Sequence, residues 1–366
     1  MKSKVLFILH LPPPVHGSSI IGSYIKNSSK INEAFNTVYI NLGTSSSINE
    51  IGKKGIKKWL LYFKILTRIV KQMLIFKPDS VYIAMTAKGI GFYKDILAIF
   101  FIKLFRVQLI IHFHNKGVSD HQNKTICNFL YKWVFKNAKI ILLSKYLFSD
   151  IKKYVNEDDV YYCPNGIMRI KTNDSAVSDN NYGKLKLLFL SNLMTSKGVF
   201  VLLKALSILK KKGVEFSCNF IGSAGDISEF DFRKNLSVLN LDSDVNYLGE
   251  KFNEDKEAIF RTSDVFVHPS LNDCFPLVLL EASQFKLPMV STFEGAIPEI
   301  IEDGFNGFLV PKNDPSALAE KLEKLIQNKN LRISLGDAAF EKYEKEYTFS
   351  KFENNMCSIL KSINSN

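Results

Sequence analysis

Short, continuous apolar runs punctuate this chain from end to end, and stretches with helical periodicity separate them. In the first half the runs are VLFILHL (5–11), TVYINL (37–42), SVYIAM (80–85), VQLIIHFH (107–114) and KIILLS (139–144). In the second half they are LKLLFLS (185–191), FSCNFIG (216–222), VNYLGE (245–250), VFVHPS (265–270), MVST (289–292) and GFLV (307–310). A strand that is apolar at consecutive positions is buried on both faces, as in a parallel sheet covered by helices. The pattern therefore predicts an α/β fold with two doubly wound, Rossmann-like sheets. The loop-rich CPNGIMRIKTNDSAVSDNNYG (163–183) lies between the two series. It sets the expected domains at 1–165 and 166–346, with a C-terminal helix over 347–366 joining the first.

Length and composition fit this division. A chain of 366 residues exceeds what one core usually supports. With 46% hydrophobic residues and 29 Phe it is expected to fold throughout, except near 171–181 and at the C-terminal tip. The five cysteines are odd in number, widely spaced and lack any Cys-x-x-Cys, which argues against a disulfide framework or a zinc site and fits a reducing cytoplasm. The start, MKSKVLFILHLPPPVHG, imitates a secretory signal. However, PPPVHG stands where small-residue cleavage chemistry belongs, so it reads as a buried first strand. The best apolar stretch for a membrane span, Ile96–Ile102, is far below the about 20 residues required.

The formal net charge of +12 is concentrated in GKKGIKKWLLYFKILTRIVKQMLIFK (52–77). There Trp59, Leu60, Phe63, Leu66, Val70, Met73 and Leu74 recur at helical spacing among Lys53, Lys54, Lys57, Lys58, Lys64, Arg68 and Lys71. A basic amphipathic helix has two readings, a contact with an anionic membrane surface or a core-facing helix with a solvated lysine face. No nucleic-acid module accompanies the charge, so no nucleic-acid partner is expected.

In doubly wound sheets ligands bind beyond the carboxyl ends of strands. NDCFPLVLLE (272–281) occupies such a place, directly after VFVHPS. Pro276 suits the first turn of a helix, and KLP at 286–288 closes it. Asp273 and Glu281 are eight positions apart, about 80° around one helix, so they are not a helical pair. Asp273 is expected in the loop, and Glu281 inside the helix, leaning back toward its N-terminus. The plain alternative, a cap and a surface acid, fits poorly with Leu279, Leu280 and Ala282 around Glu281. A helix N-terminus there favours an anion such as a diphosphate, and Lys197 in LSNLMTSKGVFVLLKAL could supply the matching cation, unless it is merely solvated. Alternation places His112 and His114 on one face of a strand. A metal pair, a packed structural pair and an active-site His114 remain open, although no nearby Cys or carboxylate completes a ligand set. His16, beside Gly17, reads equally as a site residue and as a loop residue.

These residues resemble the retaining GT-B glycosyltransferases of family 4. Asp273–Glu281 matches the family's acid-x7-Glu signature, and EASQFKLPMVSTFEGAIPEIIEDGFNGFLV continues it. SNLMTSKG, IGSAGD, PNGI and PPPVHGSS match its lysine loop, glycine turn, interdomain link and N-terminal glycine loop. The resemblance covers almost the whole chain and is strongest over 185–312. It implies two Rossmann-like domains facing each other across a cleft. It also implies that Glu281 takes the ribose hydroxyls of a nucleotide and that Asp273, with the stretch Cys274, Phe275, Pro276 and Leu277 and its available backbone N–H groups, holds the donor sugar. Lys197 would hold the diphosphate, Gly17 would let the N-terminal loop approach the phosphates, and His114 would face the reacting sugar. Two departures stand out. The family's first acid is usually Glu, and Asp273 is shorter by one C–C bond, roughly 1.5 Å. Its phosphate-binding Arg falls on Asn192, which removes a charge and a bidentate fork.

The resemblance implies transfer of a hexose or N-acetylhexosamine from a nucleotide diphosphate sugar to a saccharide, with retention and without metal or cofactor. A lipid-linked acceptor of bacterial surface polysaccharide assembly would fit the basic stretch, with the protein in the cytoplasm or peripheral on the inner face of the membrane. An epimerase or phosphorylase of the same fold and a basic binding protein without transferase activity are the rival readings.

Overall fold

The apolar runs are strands, and all of them pair in parallel. In a computed structural model, which describes residues 2–44, 56–170 and 184–365, the chain divides into two units, Met1–Gly166 with Phe349–Asn366, and Ile167–Thr348. The first unit holds β1 (Lys4–Leu9), β2 (Asn36–Asn41), β3 (Ser80–Met85), β4 (Gln108–Phe113), β5 (Ala138–Leu142) and β6 (Val160–Tyr162) in the order β2-β1-β3-β4-β5-β6. The second holds β7 (Leu185–Leu190), β8 (Phe216–Ile221), β9 (Val245–Tyr247), β10 (Val265–His268), β11 (Met289–Thr292) and β12 (Gly307–Val310) in the order β12-β11-β10-β7-β8-β9. Strand β6 was not foreseen. It is three residues long and only partly buried, so it carries no apolar run to read.

Burial explains why these segments are strands. Val5–Leu9, Tyr82, Ile83, Ile110, Ile111, Ile140 and Ile141 of the first sheet are all fully buried. The second unit closes around Leu187, Phe189, Phe220, Val265, Val267 and Val290. Phe220 meets Phe189 and Phe232, each at a centroid distance of 4.9 Å in tilted contacts favoured by the ring quadrupoles. The chain enters the second unit at Ile167 and leaves it at Thr348, and these two ends lie together: Ile167 N–H donates to Tyr347 O at 3.0 Å, and Ile167 bridges Thr348. The C-terminal helix Phe349–Ser365 belongs to the first unit, where Phe349 meets Tyr24 edge-on at 5.2 Å. Residues 171–183, which hold most of the expected linker and disorder, lie outside the described residues, as do Lys53 and Lys54.

The strand orders decide where chemistry can sit. In the second sheet the winding reverses between β7 and β10, so the loops after these two strands flank the crevice that such a reversal opens. Gly198 lets the two loops touch. It has φ +78°, and a methyl group there would lie 1.9 Å from the carbonyl oxygen of Pro269. Leu271 N–H and Asn272 N–H both donate to Ser196 O, at 2.8 and 3.1 Å, and tie the β10 loop to the β7 loop.

Gly198→Ala forces a left-handed conformation on a residue with a Cβ and drives that carbon into backbone. We expect a loss of about 2 kcal/mol or more, read as a lower urea midpoint. An unchanged midpoint would show that the two loops are not locked together at Gly198.

Candidate functional site

Asp273 sits in the loop between β10 and the helix Leu277–Gln284. Pro276 does not enter the helix but precedes it as the cap, with φ −73° and ψ 110°. The carboxylate is largely shielded, 13% exposed, yet two donors converge on its Oδ2: Lys197 Nζ at 2.7 Å and His268 Nε2 at 2.9 Å. Burial alone would push the Asp273 pKa up. The hydrogen bond from His268 and the charge of Lys197 outweigh it and hold the carboxyl well below the usual range. His268 Nε2 faces the carboxylate, and its buried Nδ1 has no hydrogen-bond partner among the described residues.

A second carboxylate supports this loop. Glu294, almost fully buried, accepts the Asp273 N–H at 3.2 Å through Oε1 and pairs with Lys312 Nζ at 2.7 Å through Oε2. Gly295 turns its chain against the loop at φ +54°, where a Cβ would lie 2.3 Å from Asp273 O, and Ala296 N–H donates to Cys274 O at 2.8 Å.

Glu281 is on the same helix as predicted, and it is not a surface acid. Its Oε1 accepts a hydrogen bond from Lys256 Nζ at 3.0 Å, and its Oε2 is buried with no hydrogen-bond partner among the described residues. Burying an unpaired carboxylate oxygen is costly. That orphan acceptor is the clearest opening for a hydroxyl donor in this unit.

Asn192, in the β7 loop, accepts the Ser223 N–H at 3.3 Å through Oδ1, so it fastens the β7 loop to the glycine turn after β8. The β7 loop is also held by Asp226, which accepts the Thr195 N–H at 2.8 Å. Cys274, Phe275 and Pro276 are buried, and Leu277 opens the helix. Pro276 has no N–H, so the backbone donors of this stretch are those of Cys274, Phe275 and Leu277.

In the first unit, His112 and His114 lie against each other with ring centroids 4.1 Å apart, as their alternation predicts. The Tyr82 hydroxyl meets His112 Nδ1 at 2.5 Å, while His112 Nε2 and His114 Nδ1 are buried without partners among the described residues. Burial, then the charge of His16, pushes His10 down to about 4; burial, then His10 and His16, pushes His114 down to about 3. His16 is a helix cap: its Nδ1 accepts the Ser19 N–H at 3.3 Å, and Gly17 begins the helix Gly17–Asn27. Among the described residues no group of three or more His, Cys, Asp or Glu could hold a metal.

Sequence reasoning missed His268, Glu294, Lys312, Lys256 and Tyr82. The first two were in plain view, in VFVHPS at a strand end and in FEG. The lysines reach their partners from separate elements, which no local pattern reveals.

Residues 170–342 match the family model described as Glycosyl transferases group 1. An uncharacterized glycosyltransferase of Methanocaldococcus jannaschii is 30% identical over 248 residues, 66% of this chain and 65% of that protein. A putative colanic acid biosynthesis glycosyltransferase of Salmonella typhimurium is 29% identical over 187 residues, 49% of this chain and 45% of that protein. The chain thus matches less than two thirds of these relatives' own lengths. Anabaena HepE, solved in complex with UDP, has a TM-score of 0.77 at 17% identity, covering 98% of this chain and 100% of that one. The two parallel sheets are those of the GT-B fold.

The histidines of the first unit make stability depend on pH. Unfolded, they take up protons near 6.5; folded, His10 and His114 refuse them until about 4 and about 3. Their contribution is complete above 6.5 and is lost as the pH falls from there toward 3. The urea midpoint should drop between pH 7.5 and 5, and His10→Asn with His114→Asn should flatten that drop. An equal slope in the double variant would contradict this.

Proposed function

With residues 170–342 belonging to the Glycosyl transferases group 1 family, we propose that the protein moves a hexose or N-acetylhexosamine from a nucleotide diphosphate sugar to a saccharide hydroxyl, with retention at the anomeric carbon. The observation that carries this reading is Glu281, whose Oε2 is buried and unpaired while Oε1 is fixed by Lys256. In this reading Glu281 accepts from the ribose hydroxyls. Lys197, 2.7 Å from Asp273, is shared between that carboxylate and the diphosphate. Asp273 and the N–H groups at the start of the helix Leu277–Gln284 meet the sugar hydroxyls.

The chemistry asked of these groups is electrostatic. The bond from the anomeric carbon to the diphosphate oxygen breaks, the bond to the acceptor oxygen forms, and the acceptor's proton ends on the departing diphosphate. Lys197 and the helix N-terminus face the charge that develops on the leaving group. Asn192 cannot supply a cation, so Lys197 bears more of this charge than it would beside an arginine. Asp273 is tied to two donors, which suits a group that orients the sugar better than a free nucleophile. The first unit is the acceptor side, with His114 offering a polar group to hydroxyls.

The acceptor we propose is a lipid-linked saccharide of bacterial surface polysaccharide assembly, and the place of work an anionic membrane surface met through residues 52–77. Relatives named for colanic acid biosynthesis support the pathway class, and the bound UDP of the Anabaena structure supports a uridine donor.

A thermal-shift panel of uridine and guanosine diphosphate sugars tests the donor. A ligand that binds only the folded state stabilises it by about 2.7 kcal/mol at a hundred times its Kd, so at least one member should raise Tm by several degrees. Glu281→Ala should abolish that shift while leaving the unliganded Tm within a few degrees. A panel without any shift would overturn the donor assignment.

A further inference from the structure

The helix Ile56–Ile75 has two apolar faces, and only one is used by the fold. Tyr62, Ile65, Leu66, Ile69 and Met73 are buried. Leu60, Phe63 and Leu74 form a second stripe, 57 to 59% exposed, with Ile75 at 69% beside it. Such exposure of large apolar side chains at both ends of one helix face is unusual for a surface that meets only water.

The neighbouring helix Gly89–Leu104 extends the patch. Phe100 and Leu104 stand out from it, 47% and 62% exposed. Between the two helices lies a groove of about 510 Å³, walled by Phe63, Leu66, Val70, Leu74, Leu97 and Phe101. Lys64, Arg68 and Lys71 run along one edge of the outer stripe, and all three are exposed. The helix Ile56–Ile75 contains no acidic residue, and the single acid of Gly89–Leu104, Asp95, is buried. The patch is therefore hydrocarbon bordered by cations, with no exposed carboxylate on either helix.

We propose that this face of the first unit docks on an anionic lipid bilayer, with the Ile56–Ile75 helix lying in the interface, an acyl chain in the groove, and Lys64, Arg68 and Lys71 at the headgroup phosphates. The combination of an apolar stripe and a cationic edge is what a helix needs to lie in such an interface, since long basic side chains keep their stems in hydrocarbon and their charges in the headgroups. A second copy of this chain is a poorer occupant. Face-to-face pairing would bring two cationic edges onto a surface with no acid to offset them. The inference deepens the membrane reading proposed above and rests on it only for its purpose, since the surface exists whatever the enzyme transfers.

Vesicle flotation decides the matter. Wild-type protein should float with phosphatidylcholine vesicles containing phosphatidylglycerol, at least tenfold more than with phosphatidylcholine alone, and 0.5 M salt should weaken this binding. Lys64→Gln/Arg68→Gln/Lys71→Gln should bind the anionic vesicles about a hundredfold more weakly, from roughly 1 kcal/mol per basic residue at the surface. Phe63→Ser/Leu74→Ser should lose binding to the same vesicles while keeping its far-ultraviolet circular dichroism. Absence of flotation, equal binding to neutral vesicles, or a dimer in solution that Phe63→Ser/Leu74→Ser dissolves would overturn the proposal. The donor-induced Tm shift, measured on the same variants, separates the two readings. Flotation without any donor shift leaves the membrane face standing and removes the transferase; a donor shift without flotation does the reverse.

Discussion

The second unit is organised around one carboxylate that is nearly removed from water and still charged. Bringing Asp273 to 13% exposure without partners would cost several kcal/mol. Lys197 and His268 meet that cost on one oxygen, and Glu294 holds the backbone behind it. Each partner comes from a different place: the β7 loop, the last residue of β10, and the turn after β11. They converge because β7, β10 and β11 are neighbours in the sheet and because Gly198 and Gly295 allow closer approach than any side chain would. Fold, loop contact and charge are thus one constraint, and the diphosphate contact proposed for Lys197 depends on it.

Much of this was legible in the sequence. The two sheets follow from eleven apolar runs, and the placement of Asp273 in a loop and Glu281 in a helix follows from their spacing and from Pro276. The helix begins one residue later than that proline suggests, since Pro276 takes an extended ψ and cannot be a helical residue. What could not be read is who partners whom. Lys197 and Asp273 are 76 positions apart, and Lys256 reaches Glu281 across 25. Sequence separation of that size is erased only by strand order, and strand order is not a local property. The pairing of Lys197 with Asp273 also changes the picture of two independent ligand groups: the acid proposed to meet the sugar and the lysine proposed to meet the diphosphate form an ion pair with each other.

The first unit was legible in a different way. Alternation placed His112 and His114 on one face, and their rings do meet, but the pairing of His112 with Tyr82 comes from a neighbouring strand, and His10 and His16 come from the segment after β1. The basic stretch was open between a core-facing helix and a membrane contact. The helix serves the core with one face and leaves another apolar face outside, which periodicity alone cannot distinguish when both faces are hydrocarbon.

On the reading proposed here, Glu281 Oε2 is left unpaired to receive a nucleotide. Diffraction from a co-crystal grown with the nucleotide diphosphate sugar that the Tm panel selects tests it most directly. A ribose hydroxyl should lie within about 3 Å of Glu281 Oε2, a normal hydrogen-bond distance, with the diphosphate beside Lys197. A nucleotide bound elsewhere, with Glu281 Oε2 still without a partner, would contradict it.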